Sequence, residues 1–119
     1  MHGLLVVDHG SRREEANAQL ADIASRLRRL RPTDAVEHAH MELGEPTIVQ
    51  AFARLVAAGA TTVSVLPYFL SGGRHSSEDI PRLVAEAVAA HPGVAFTVAP
   101  ALGPHDALAR LLLERAGLA

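Results

Sequence analysis

A chain of 119 residues, 49% of them apolar and 3% aromatic, can build one aliphatic core but not much more. Eleven basic against thirteen acidic residues give a formal charge of −2, which speaks against an electrostatic nucleic-acid binder, and no basic run is long enough to hold a membrane surface. The absence of cysteine excludes disulfides and thiolate metal sites. No signal peptide or bilayer-spanning stretch is expected, which makes a cytoplasmic protein the default expectation.

Residues 3–8 (GLLVVD) form a short apolar run rich in β-branched residues and read as a buried strand. Residues 12–31 read as a helix, with Ala16, Leu20, Ile23, Leu27 and Leu30 on one face and Pro32 as its stop. Ser11 is the expected N-cap, with Glu14 three residues on in a capping-box pattern. Residues 35–42 (AVEHAHME) alternate: Val36, His38, His40 and Glu42 share one side of a strand of mixed polarity, expected near a sheet edge. Pro46 suits the first turn of the next helix, which carries Ile48, Val49, Phe52, Leu55 and Val56 as a stripe and ends at Gly59.

Residues 61–68 (TTVSVLPY) read as the third strand, and the loop FLSGGRHSSED follows it. A third helix spans about 78–90, with Pro81 in its first turn, where a missing N–H costs little. Residues 94–98 are a fourth strand, and 105–116 a last helix with Leu108, Leu111 and Leu112 on its apolar face. The alternation predicts an α/β fold: one domain over 1–119, with a four-stranded parallel sheet in the order 2-1-3-4 flanked by helices on both faces.

In such a sheet the carboxyl ends of all strands share one rim, and ligands bind there. His9 ends the first strand, Glu42 the second, and His75 follows the third. Two imidazoles and a carboxylate converging on one rim make a candidate divalent-metal site with open positions. A histidine at a strand end is by itself commonly a cap or loop residue; the shared rim is what favours a site. His38 and His40 could also bind metal, although a half-exposed strand face is the plainer reading. His2, His91 and His105 are read as structural. Gly10, Gly72 and Gly73 permit close approach. Helix starts near Ser11 and Ser77, with Arg12, Arg13 and Arg74, favour anions. Glu14, Glu15, Glu78 and Asp79 partly offset that charge.

The stretches LLVVDHGSRREEAN, MELGEPTI, GATTVSVLPYFLSGGRHSSEDIP and PALGPHDAL resemble, in order and spacing, those of the short CbiX-type sirohydrochlorin cobaltochelatases of the class II chelatases. The resemblance covers nearly the whole chain. It implies insertion of Co2+, or in related members Ni2+ or Fe2+, into the tetrapyrrole sirohydrochlorin, in cobalamin, F430 or sirohaem synthesis. It implies His9 as metal ligand and proton acceptor, His75 as second ligand and Glu42 as a further metal contact and proton relay. Glu45 and the loop Leu70, Ser71, Gly72, Gly73, Arg74 and His75 correspond to substrate-contacting positions. No tightly bound cofactor is implied, since the metal is a substrate, and a homodimer is implied for the short form. The family more often has Gly where this chain has Asp8. A carboxylate there either supports His9 or points away from it. A metal carrier without catalysis uses the same residues but ignores tetrapyrroles. A histidine phosphatase, suggested only by His9-Gly10 after a strand, is disfavoured because Asp8 would repel phosphate.

Overall fold

The computed structural model describes residues 1–71, 73 and 78–118. Its elements run β1 (His2–Asp8), α1 (Glu14–Leu30), β2 (Ala35–His40), α2 (Ile48–Ala57), β3 (Thr62–Pro67), α3 (Ile80–Val88), β4 (Ala95–Val98) and α4 (Asp106–Arg115). All pairings are parallel and the strand order is β2-β1-β3-β4, as the alternation predicts.

β1 lies between two neighbours and is buried from Gly3 to Val7. Because side chains alternate along a strand, its apolar run serves two cores. Leu5 and Val7 join Ala39, Val63, Val65 and Phe69 beneath α2 and α3, where Phe52, Leu55, Ile80 and Val84 are fully or almost fully buried. Leu4 and Val6 point the other way, with Val36, against Leu20 and Ala24 of α1. The sheet is thus covered by α2 and α3 on one face and by α1 on the other.

The structure departs from the sequence expectations at four places. Helix α1 begins after Arg13 with no side-chain cap. The Ser11 hydroxyl accepts from the Arg13 N–H at 3.1 Å, so it shapes the turn ahead of the helix and does not cap it. The reciprocal capping box forms instead at Thr47 and Gln50, and Pro46 precedes α2 after a cis bond from Glu45. Strand β2 stops at His40, and the chain bends from Met41 to Pro46. His40 is 1% exposed, so the half-exposed strand face expected there is wrong for this residue. Helix α4 has no buried residue. Of the leucines expected on its apolar face, Leu108 is half-buried and Leu111 and Leu112 are exposed.

The structural readings of three histidines hold. His105 caps α4, its Nδ1 accepting from the Ala107 N–H at 3.0 Å. His2 bonds the hydroxyls of Thr62 and Ser64, both at 2.9 Å. The His91 ring packs beside Phe52, with centroids 5.9 Å apart.

Candidate functional site

The carboxyl rim is built by backbone bonds that carry the β1–β2 pairing past the sheet. The Asp8 carbonyl accepts from the Met41 N–H at 2.9 Å, and the His9 carbonyl accepts from the Glu42 N–H at 3.1 Å. Gly10, with φ 93°, lies against this junction, and a Cβ there would overlap the Glu42 carbonyl oxygen. Only glycine allows both the left-handed backbone and the close approach. On the other side of β1, the Tyr68 N–H reaches the Val7 carbonyl at 2.7 Å, which brings Phe69 beside His9.

His9 and Glu42 are both exposed and line one cavity of about 170 Å³ with Met41, Asp79, Arg82 and Leu83. The His9 ring lies over Phe69, with centroids 4.2 Å apart and planes tilted by 31°. Glu42 was expected on the His38 and His40 side of its strand. It joins His9 because β2 ends before it and the alternation no longer applies. Phe69 and Arg82 are neighbours of His9 that the sequence reading did not assign to the site, and Asp79 was expected at the rim only as a charge offsetting the arginines. Arg82 also pairs with Asp79 at 3.7 Å and Glu86 at 3.4 Å. Their signal was positional: both Asp79 and Arg82 sit where the chain enters the helix after the third strand.

Two further cavities flank this one. A polar cavity of about 440 Å³ opens on the α1 face, lined by residues that include Ser11, Arg12, Asn17, His38, His40 and Glu45. Glu45 therefore lines a different cavity from Glu42. An apolar cavity of about 580 Å³ is lined by Tyr68, Phe69, Leu70, Leu102 and the α4 residues Leu108, Leu111, Leu112 and Arg115. The segments after β3 and β4 are tied here: the Leu102 N–H bonds the Phe69 carbonyl at 2.9 Å and the Gly103 N–H the Leu70 carbonyl at 2.7 Å. Phe69 thus lines the apolar cavity while its ring packs against His9, which lines the other.

Of the other expected site residues, Leu70 and Ser71 are exposed, and Gly73 is exposed with φ 53°. Gly72, Arg74 and His75 lie outside the described residues, as does the helix start expected near Ser77. Among the described residues no three His, Asp or Glu side chains are gathered closely enough to hold a metal ion.

Asp8 points away from His9. Its carboxylate accepts from the His40 Nδ1–H at 2.6 Å on the α1 face, so it does not bond the imidazole that follows it in sequence. The neighbouring His38 ring stands edge-on to His40 with centroids 5.8 Å apart, and its buried Nδ1 has no hydrogen-bond partner among the described residues. Burial first and the nearby His40 second push the His38 pKa down; Glu37 pulls it up, Arg28 lowers it by less, and Asp8 raises it least.

With this geometry in hand, the comparisons are specific. The CbiX family model matches residues 3–118. The chain belongs to the CbiX family. It is 42% identical to the chloroplastic sirohydrochlorin ferrochelatase of Arabidopsis thaliana over 95% of this chain and 50% of that one. It is 32% identical to the sirohydrochlorin cobaltochelatase of Sulfurisphaera tokodaii over 97% of this chain and 91% of that one. The structure of the sirohydrochlorin chelatase SirB from Bacillus subtilis subspecies spizizenii in complex with cobalt superposes with a TM-score of 0.84 at 28% identity. That match covers 98% of this chain and 50% of SirB. The chain therefore spans about half the length of the Arabidopsis and Bacillus relatives but most of the Sulfurisphaera one. Both the CbiX membership and the parallel sheet expected from the sequence stand. Among the described residues no helix is long and apolar enough to cross a membrane.

Proposed function

We propose that this chain is a metallochelatase that inserts a divalent ion into sirohydrochlorin, with Co2+ as the leading metal and Ni2+ or Fe2+ as alternatives. The observation that carries this reading is the shared cavity of His9 and Glu42 at the strand rim, with the His9 ring packed on Phe69, which lines an apolar cleft. Metal insertion must hold a partly dehydrated ion and remove two pyrrole protons. An exposed imidazole at His9 holds the ion and, once the ion is handed on, accepts a proton. Glu42 takes the second proton. Its backbone N–H bonds the His9 carbonyl, which ties the two residues together at the rim. His75 is the proposed second ligand, on the family resemblance alone. The apolar cleft suits a flat macrocycle, and Glu45, Arg74 and the Leu70–Gly73 segment are proposed to contact it. The metal is cargo, and the reading needs no resident cofactor.

We further propose that the whole chain acts as a single catalytic unit that pairs with a second copy, in a cytoplasmic setting. Leu111, Leu112 and Leu113 on α4 are 40%, 72% and 49% exposed, and Leu70 and Leu118 are both 71% exposed. An apolar patch of this kind is characteristic of an interaction surface. That this chain matches only half of SirB supports a second unit facing it.

The test is the Co2+-dependent spectral change of sirohydrochlorin, followed with the unmodified chain, His9→Ala and His75→Ala, and repeated with Ni2+ and Fe2+. Loss of the change in both variants supports the reading, and full activity in both sinks it. Sirohydrochlorin bound without any ion separates an enzyme from a metal carrier, which ignores the tetrapyrrole.

A further inference from the structure

Asp8 and His40 are cross-strand partners in the β1–β2 register, and their side chains meet on the face opposite His9. Four observations give this pair more than a packing role. Each residue stands at a point where a strand gives way to the rim: Asp8 precedes His9, and His40 precedes the bend that carries Glu42. That bend leaves from His40 and returns to it, since the His40 N–H bonds the Pro46 carbonyl at 2.9 Å and His40 bridges to Thr47.

The His40 side chain also lies close beside two glycines. A Cβ built on Gly10 would lie 3.2 Å from the His40 Cβ, and one on Gly44 would lie 3.4 Å from its Cδ2. Gly10 follows His9, and Gly44 lies between Glu42 and Glu45. Finally, the ring is 1% exposed, so its orientation is fixed by its surroundings, and the Asp8 bond at 2.6 Å is its one hydrogen bond to a side chain among the described residues.

We propose that His40, held by Asp8, is a positioning residue for metal insertion: its locked ring is the wedge that sets the distance between His9 and Glu42. The hydrogen bond does this, not the charge of the carboxylate. If the ring turns, the bend moves with it, the backbone bond from Glu42 to His9 lengthens, and the two bases part. Small displacements of reacting groups cost far more in turnover than in binding. The proposal rests on the metallochelatase reading for its kinetic consequence, but not for its structural one.

The experiment compares Asp8→Ala, which removes the acceptor, with Asp8→Asn, which keeps a neutral oxygen where the carboxylate oxygen lies. Both are assayed well below their melting temperatures. In Asp8→Ala, kcat for Co2+ insertion falls about tenfold or more while KM for sirohydrochlorin stays within about twofold. In Asp8→Asn, kcat stays within about threefold of the unmodified chain. Amide hydrogen exchange at Met41 and Glu42 rises about tenfold in Asp8→Ala and is unchanged in Asp8→Asn. Should Asp8→Ala fail to fold, Asp8→Ser carries the same comparison, since its hydroxyl falls short of the His40 ring.

Unchanged kcat and unchanged exchange in a folded Asp8→Ala would overturn the proposal. So would an Asp8→Asn variant as impaired as Asp8→Ala, because the charge would then matter more than the bond. If the unmodified chain inserts no metal, the catalytic reading fails by itself. The exchange pattern at Met41 and Glu42 then decides whether the wedge exists.

Discussion

The His9 ring packs on Phe69 with centroids 4.2 Å apart and planes tilted by 31°, so an exposed imidazole rests on a side chain that is only 7% exposed and belongs to the core. The core holds the ring from beneath. Removal of the imidazole should therefore leave the fold nearly untouched. His9→Ala is expected to lower Co2+ insertion by about a hundredfold or more, as loss of a proton acceptor does, with a melting temperature close to that of the unmodified chain. Phe69→Leu keeps an apolar filler and should cost no more than about 1.5 kcal/mol of stability. It is nonetheless expected to lower kcat, because the platform under His9 is gone. Denaturant unfolding beside the metallation assay checks both, and a fully active His9→Ala would remove His9 from the chemistry.

Gly10 makes the opposite case, a rim residue whose replacement should damage the fold first. Gly10→Ala places a methyl group on the Glu42 carbonyl and strains a φ of 93°. The expected loss is about 2 kcal/mol or more, from backbone strain together with overlap, and activity falls with it. Urea midpoints for Gly10→Ala and Gly59→Ala make the comparison. Gly59 also has positive φ, but a Cβ there meets nothing within 4 Å. Gly59→Ala should be the milder change, and equal losses would mean that φ alone, not the contact with Glu42, holds Gly10 in place.

Helix α4 offers a surface test that leaves the core alone. Because no α4 residue is buried, Leu112→Glu and Leu113→Glu should leave the melting temperature of a dilute sample almost unchanged. If the patch is covered by a second copy, the double variant should run as a monomer in analytical ultracentrifugation where the unmodified chain runs as a dimer. A variant that stays dimeric would place the contact elsewhere.

The lowered pKa of His38 predicts a pH dependence with a definite sign. Burial disfavours its charged form in the fold, so between its native pKa and its unfolded value near 6.5 the unfolded chain binds more protons. Stability from this group is complete above about pH 6.5 and is lost as pH falls from there through the native pKa. His40, Glu37, Arg28 and Asp8 all bear on the ring, so the group is read by difference. His38→Gln should lose less stability than the unmodified chain between pH 7.5 and pH 5.5 in urea titrations. Equal losses would show that the ring does not titrate differently on folding.

The topology was legible because β1 is apolar on both faces and helices separate all four strands, a combination that leaves few arrangements besides a parallel sheet. The meeting of His9 with Glu42 was legible for the same reason, since parallel strands share a rim. What could not be read was where alternation stops. Treating Met41 and Glu42 as strand residues put Glu42 beside His38 and His40, when the strand's end at His40, two residues earlier, lets it turn to the other face. The cap at Thr47 was hidden by Pro46, which is an equally good helix-start signal. Asp8 was opaque because its partner is 32 residues away, and only the β1–β2 register brings them together.

The alternation of β1 has a further consequence. Asp8 and His9 are adjacent in sequence yet serve opposite sides of the sheet, one bracing and one facing the candidate chemistry. The strand therefore works as a counter: what each residue does is set by whether its position is odd or even from the buried run. Substitutions along Leu4–Val7 alter how well the two cores pack, but loss or gain of a single residue would exchange the brace and the base outright. Drift in this segment is thus free to change side-chain size within limits, while its length is held by arithmetic.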